Sequence, residues 1–99
     1  MRVHDDRVER LRDWLAELMQ RQVEVRETFR NEGVRHEQAY LLRTADGTVL
    51  VYAVEVEDPE AAQRAYVASS LPIDKQHRVV MQAVQAGPAD AELLYEVRL

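Results

Sequence analysis

Three features of the sequence predict an α+β fold in which an antiparallel sheet carries its helices on one face. The first is a long amphipathic segment, roughly Asp5 to Asn31, with apolar residues at Val8, Leu11, Leu15, Leu18, Val25 and Phe29. Their alternating three- and four-residue spacing lays them on one helical face. The second is a period-two hairpin around Asp46-Gly47. The third is the element order, short strand, helix, two strands, two helices and a final strand, which is the pattern of a ferredoxin-like sandwich.

Taken in order, Met1 to His4 supplies only a very short first strand. That topology places the first strand centrally, so it is either unusually short or truncated, with the native chain beginning upstream. Asp5 or Asp6 is expected to cap the long helix by accepting an orphaned backbone N–H. Asp6–Arg10 and Glu17–Arg21 are acid-first i,i+4 pairs on its outer face. Trp14 and Met19 widen the apolar stripe, which suits a helix lying on a sheet better than a coiled-coil seam. Gln22 interrupts the stripe, and Gly33 is placed to end the helix in the left-handed conformation.

From Val34 to Thr44 the period changes: Ala39 and Leu41 fall on one face, His36, Tyr40 and Leu42 on the other. The turn Ala45-Asp46-Gly47 leads into Thr48 to Val56, a strongly β-forming run that is apolar on both faces. Asp58-Pro59 opens a second helix, with Asp58 as N-cap and Pro59 at the first helical position, running to about Ser69. Leu71-Pro72-Ile73 breaks it. Asp74 is then expected to cap a third helix that carries Val79, Val80, Ala83 and Val84 to Gln85, where Gly87-Pro88 ends it. Ala91 to Leu99 alternates in period two and reads as a terminal strand.

With 99 residues the chain is long enough for one domain, 1–99, and one modest core. Its 46% hydrophobic and 31% charged residues are an ordinary globular balance. The absence of cysteine excludes disulfides, thiolate metal sites and cysteine nucleophiles, and fits a cytoplasmic location. A formal net charge of −5, with arginines interspersed among acids, argues against a nucleic-acid partner. No apolar run approaches the ~20 residues of a membrane span. A strand apolar on both faces needs cover on both, and helices reach only one side of such a sheet. The second cover is expected to be another copy of the chain, making a homodimer through the sheet face.

Leu11-Arg12-Asp13-Trp14, Gly33-Val34, Glu37, Tyr40-Leu41, Asp46-Gly47, Tyr52 and the run from Ser70 to His77 together carry a resemblance over almost the whole chain. The sequence resembles a family of small bacterial proteins of unknown function, similar to the dimeric α+β barrel proteins, in which two ferredoxin-like subunits pack sheet against sheet. It departs at the amino end, where relatives would carry a full first strand. The resemblance implies that fold and a dimer. The wider group spans cofactor-independent monooxygenases, sugar mutarotases, haem-degrading enzymes and plain ligand binders, so it assigns no activity.

Four residues are candidates for chemistry. Asp74 and His77, three apart at a helix start, can share a site as an acid–base pair or substrate clamp. Capping by itself also accounts for Asp74, and a first-turn surface position for His77. Glu37 becomes a candidate general base if it faces a cavity, where burial would raise its pKa; an exposed or interface carboxylate is the alternative. A two-residue Asp-Gly turn would put Tyr52 opposite Leu41 on the Glu37 face, and a three-residue loop on the other. His36, Tyr40 and Tyr95 are further polar handles, while Arg21 and Gln22 either point towards the core or pair with Glu17 and face solvent. His4, His36 and His77 lie on three elements without ligand spacing, so no metal is expected, and no motif calls for a cofactor. The leading expectation is a small-molecule binder with a pocket between helices and sheet. A cofactor-independent enzyme of the mutarotase or monooxygenase kind, and an interaction module using the apolar sheet face, are the alternatives.

Overall fold

A computed structural model describes residues 1–99. Its elements are β1 (Arg2–Val3), a 3-10 turn (Asp5–Arg7), α1 (Val8–Gln20), α2 (Gln22–Glu32), β2 (Val34–Thr44), β3 (Gly47–Val56), α3 (Pro59–Ala68), α4 (Pro72–Val84) and β4 (Gln85–Gly87). The four strands form one antiparallel sheet in the order β2-β3-β1-β4. Although β1 has two residues, it lies between β3 and β4, pairing Arg2 with Val49 and Val3 with Thr48. The Leu50 amide adds a bond to the Met1 carbonyl at 2.8 Å.

The long opening helix is divided. Arg21 leaves helical geometry at φ −117°, ψ 41°, and its amide turns back to the Leu18 carbonyl at 3.0 Å. The break falls where Gln22 interrupts the apolar stripe, so no buried contact holds the turn straight. The Arg21 guanidinium closes the bend with two bonds to Glu24, at 3.1 and 2.6 Å, and one to Gln76 at 2.5 Å. Bending lets α1 pack on α4 while α2 packs on α3.

Neither Asp5 nor Asp6 is a cap. The His4 amide bonds to the Val84 carbonyl at 2.9 Å, so β1 runs directly into the 3-10 turn and both acids lie inside it. Asp74 is not a cap either. Pro72, with its φ already fixed, takes the first helical position, and α4 begins three residues earlier than expected. Asp58 does cap α3, its Oδ1 accepting from the Glu60 and Ala61 amides at 3.1 Å each. Gly33 ends α2 at φ 75°.

The expected terminal strand Ala91–Leu99 is absent. The last strand is Gln85–Gly87; the residues after it have no regular structure, and Ala91 to Leu99 are exposed. A two-residue β1 offers a ladder only long enough for so short a partner. The register also slips between Arg2 and Val3, and Pro88 brings no N–H to continue it.

In the hairpin Thr44 pairs with Gly47, so the loop is Ala45-Asp46 and Gly47, at φ 121°, starts β3. Tyr52 therefore pairs with Ala39 rather than Leu41, on the same face as Glu37. A bulge adds one residue to β2 between Val34 and His36. Three residues apart, Val34 and Glu37 would face opposite ways on a regular strand; the bulge turns both towards the helices.

The core is small: Val3, Leu11, Leu50 and Val84 form the buried cluster, with Leu15, Leu41, Val80 and Met81 packed around it. It lies between β1–β3 and the α1–α4 pair. At the other end, under α2 and α3, the layers stand apart.

Candidate functional site

That gap is a cavity of about 450 Å³. Its walls come from every layer. Val25, Thr28, Phe29 and Glu32 project from α2, Glu37 from β2, and Tyr52 and Val54 from β3. Tyr66 from α3 and Ile73, Asp74, His77 and Met81 from α4 complete it. The structure thus brings Glu37, Tyr52, Asp74 and His77 to one place, from three elements.

Asp74 is buried, and its partners lie outside its own helix. Thr28 Oγ1 is 2.8 and 2.7 Å from its two carboxylate oxygens, and Ser69 Oγ is 2.5 Å from Oδ2. Thr28 Oγ1 also stands 2.8 Å from Glu32 Oε1. One hydroxyl therefore links the carboxyl groups of α2 and α4. The α3 end is fixed by Arg78, which donates to the Tyr66 and Ser69 carbonyls at 2.7 and 2.8 Å and lies over the Tyr66 ring.

His77 is held by Trp14, whose indole N–H donates to Nδ1 at 2.9 Å. An indole can only donate, so Nδ1 is the bare nitrogen of a neutral imidazole and Nε2 carries the hydrogen. Burial lowers the His77 pKa, with nearby Asp74 pulling the other way. The Tyr66 ring meets the imidazole edge-on at 5.9 Å.

Burial also raises the Glu37 pKa. Glu32 is raised by burial, and nearby Asp74 reinforces it. Burial pushes Tyr66 up to about 12 and raises Tyr52 further. The Tyr52 hydroxyl has only a long contact, 4.0 Å, to the Met81 sulfur. No three His, Cys, Asp or Glu side chains are arranged to hold a metal ion.

The remaining handles lie elsewhere. His36 and Tyr40 are exposed on the outer sheet face, and Tyr95 is exposed in the tail. Arg21 pairs with Glu17 at 3.6 Å, as expected, and more closely with Glu24; Gln22 is exposed and accepts from Arg26. The sequence reading missed Thr28, Glu32 and Tyr66. For the first two a signal existed: Val25, Thr28, Phe29 and Glu32 follow the i, i+3, i+4, i+7 spacing of a buried face, with two polar residues in it.

The fold and cavity define an α+β protein whose helices and antiparallel sheet flank an open pocket lined by both apolar and ionisable groups. The chain matches, over residues 1–99, the family described as "Family of unknown function (DUF6176)", and it belongs to that family. No curated protein and no solved structure matches it.

Proposed function

We propose that this protein binds a small organic molecule in the cavity between its helices and sheet. The observation that carries the reading is the convergence of Glu37, Tyr52, Asp74 and His77 on one mostly apolar pocket. Binding sites combine concavity, apolar walls and a few polar groups with shifted ionisation in this way. A ligand-observed NMR screen of small polar aromatics tests it: hits should broaden or shift cavity residues, and a screen without cavity hits contradicts it.

The working unit in this proposal is a homodimer of ferredoxin-like subunits joined through the outer sheet face. An antiparallel sheet with its first strand between the third and fourth supports the subunit type. Surface area supports the dimer. The chain exposes 7544 Å², against about 5,800 Å² for a folded monomer of its length. The excess, about 1,700 Å², exceeds the ~800 Å² per partner that a standard interface buries. Its radius of gyration is 14.3 Å, where about 12.6 Å is usual. Tyr40, Leu42 and Val51 on the outer face, at 50%, 49% and 38% exposure, are apolar surface suited to such an interface, as are Leu93, Tyr95 and Val97 of the tail.

A second reading is a cofactor-independent enzyme of the mutarotase or monooxygenase kind. It is supported by the same convergence, with Glu37 as base and the neutral His77 or Tyr52 as proton donor. A loss of turnover in Glu37→Gln that far exceeds its loss of binding would separate it from simple binding.

A further inference from the structure

The lining residues of the cavity include three carboxyl groups, Glu32, Glu37 and Asp74, and no lysine or arginine. The α-ammonium of Met1, also a lining residue, is bonded to the Leu50 carbonyl at 2.8 Å, and nearby Arg78 is turned to the Tyr66 and Ser69 carbonyls. Twelve of the 19 lining residues are hydrophobic, and Phe29, Tyr52 and Tyr66 bring aromatic rings from three elements. An anion placed here meets like charge. An uncharged molecule offers no compensating charge to the Glu37 carboxylate, which has no hydrogen-bond partner in the chain. A cation on an apolar body meets carboxylates beside aromatic side chains.

The Thr28 hydroxyl shows where a proton is stored. It carries one hydrogen yet stands within 2.8 Å of both Glu32 and Asp74, so one of the two carboxyls must donate to it. Helix position decides which. Asp74 lies in the first turn of α4, where the positive end of the helix dipole favours an anion, and it has Ser69 as a second donor. Glu32 is the last residue of α2, at the negative end. Asp74 is therefore the anion, and Glu32 is the neutral acid that donates to Thr28. The other titratable groups at the cavity are Glu37 on β2, Tyr52 on β3, Tyr66 on α3 and His77 on α4. None is the partner of this proton.

We propose that the cavity takes a small organic cation, a protonated amine on an apolar body, and that its arrival displaces the proton Glu32 holds against Thr28. The ammonium enters, Glu32 becomes a carboxylate, and one proton leaves to solvent. The proposal rests on the cavity being a ligand site, as proposed above.

Three probes of one shape and different charge test it: benzylammonium, benzyl alcohol and benzoate, titrated into the full chain by calorimetry with amide NMR mapping. Benzylammonium should bind at least about tenfold more tightly than benzyl alcohol, with benzoate silent. Its heat should vary with buffer ionisation enthalpy as proton release requires. Glu32→Gln should abolish that release and weaken benzylammonium binding, and Glu37→Gln should weaken binding while leaving the release in place. If Glu32→Gln fails to fold, the carboxyl ¹³C shift of Glu32 in the unaltered chain reads the same proton. Equal or tighter binding of the alcohol or of benzoate overturns the cation proposal and leaves the pocket standing. Benzylammonium bound without proton release overturns the role of Glu32. Three probes that leave every cavity residue unshifted overturn both.

Discussion

Trp14 on α1 donates its indole N–H to Nδ1 of His77 on α4 at 2.9 Å, joining the two helices and fixing the imidazole in its neutral form. Because the folded state lowers the His77 pKa, the unfolded chain binds the proton first as pH falls. The contribution of His77 to stability is complete above the unfolded value near 6.5 and declines as pH drops through the folded one. Denaturant unfolding across pH 4–8 should show this loss, and His77→Gln should remove that part of it. Trp14→Phe deletes the donor and leaves a small void, at a cost of about 1–3 kcal/mol. The His77 titration, followed by NMR, should move upward in that variant.

Thr28 gives a second prediction. Thr28→Val keeps the shape but removes the hydroxyl from a buried carboxylate, and should cost about 1–3 kcal/mol; Thr28→Ser should restore most of it. Chemical denaturation of the three forms checks this. The outcome depends on Asp74 having Thr28 and Ser69 as its donors.

Glu32 and Glu37 titrate with the opposite sign to His77. Both carboxyls are raised in the folded state, so the native protein holds protons that the unfolded chain has lost. Their effect favours folding at low pH and is lost as pH rises from about 4.5 through the folded values. Glu32→Gln, isosteric with the neutral acid, should therefore be at least as stable as the natural chain at pH 7–8. Its stability should also fall less between pH 5 and 7. A variant markedly less stable at pH 8 would show that the ionised form of Glu32 is the native one.

Gly33 joins Glu32 to the bulged strand that carries Glu37, at φ 75°. A Cβ there would meet Glu57 at an ordinary 3.9 Å, so space is available and only the backbone objects. Gly33→Ala should cost about 1–2 kcal/mol, and Gly33→Asn less, since asparagine tolerates the left-handed region. Thermal unfolding of the two variants measures the difference.

For the dimer, light scattering on the eluting peak should give twice the chain mass at micromolar concentration. Val51→Lys, a charge in the middle of the outer face, should give a monomer with unchanged circular dichroism. A natural chain that elutes as a monomer at tens of micromolar contradicts the proposed assembly.

The features legible in the sequence are those governed by neighbouring residues. Asp58-Pro59 caps and starts α3, Gly33 ends α2, and period two set the hairpin, while the face of Tyr52 stayed open until the loop length was known. What escaped depends on distant partners. Asp74 reads as a cap because Pro72 is not visibly a helix start, and its real partner, Thr28, is 46 residues away. The Arg21 break follows from α1 and α2 choosing different helices to pack on, which no local spacing states. Leu93, Tyr95 and Val97 alternate as a strand would, yet the chain gives them no ladder, because β1 is two residues long. The cavity itself was expected only as a position between layers. Its proton-sharing pair was hidden because Thr28 and Glu32 sit inside an otherwise apolar stripe.

The proposed ligand site is the space between helices and sheet. It is tested most directly by fragment screening of the natural chain beside Val54→Trp. Val54 lines the cavity and is 42% exposed, so a tryptophan there fills the space without displacing the core. Hits should shift Tyr66 and His77 in the natural chain and vanish in the plugged variant. Hits that persist in Val54→Trp, or that map to Tyr40 and Leu42 on the outer face, would contradict it.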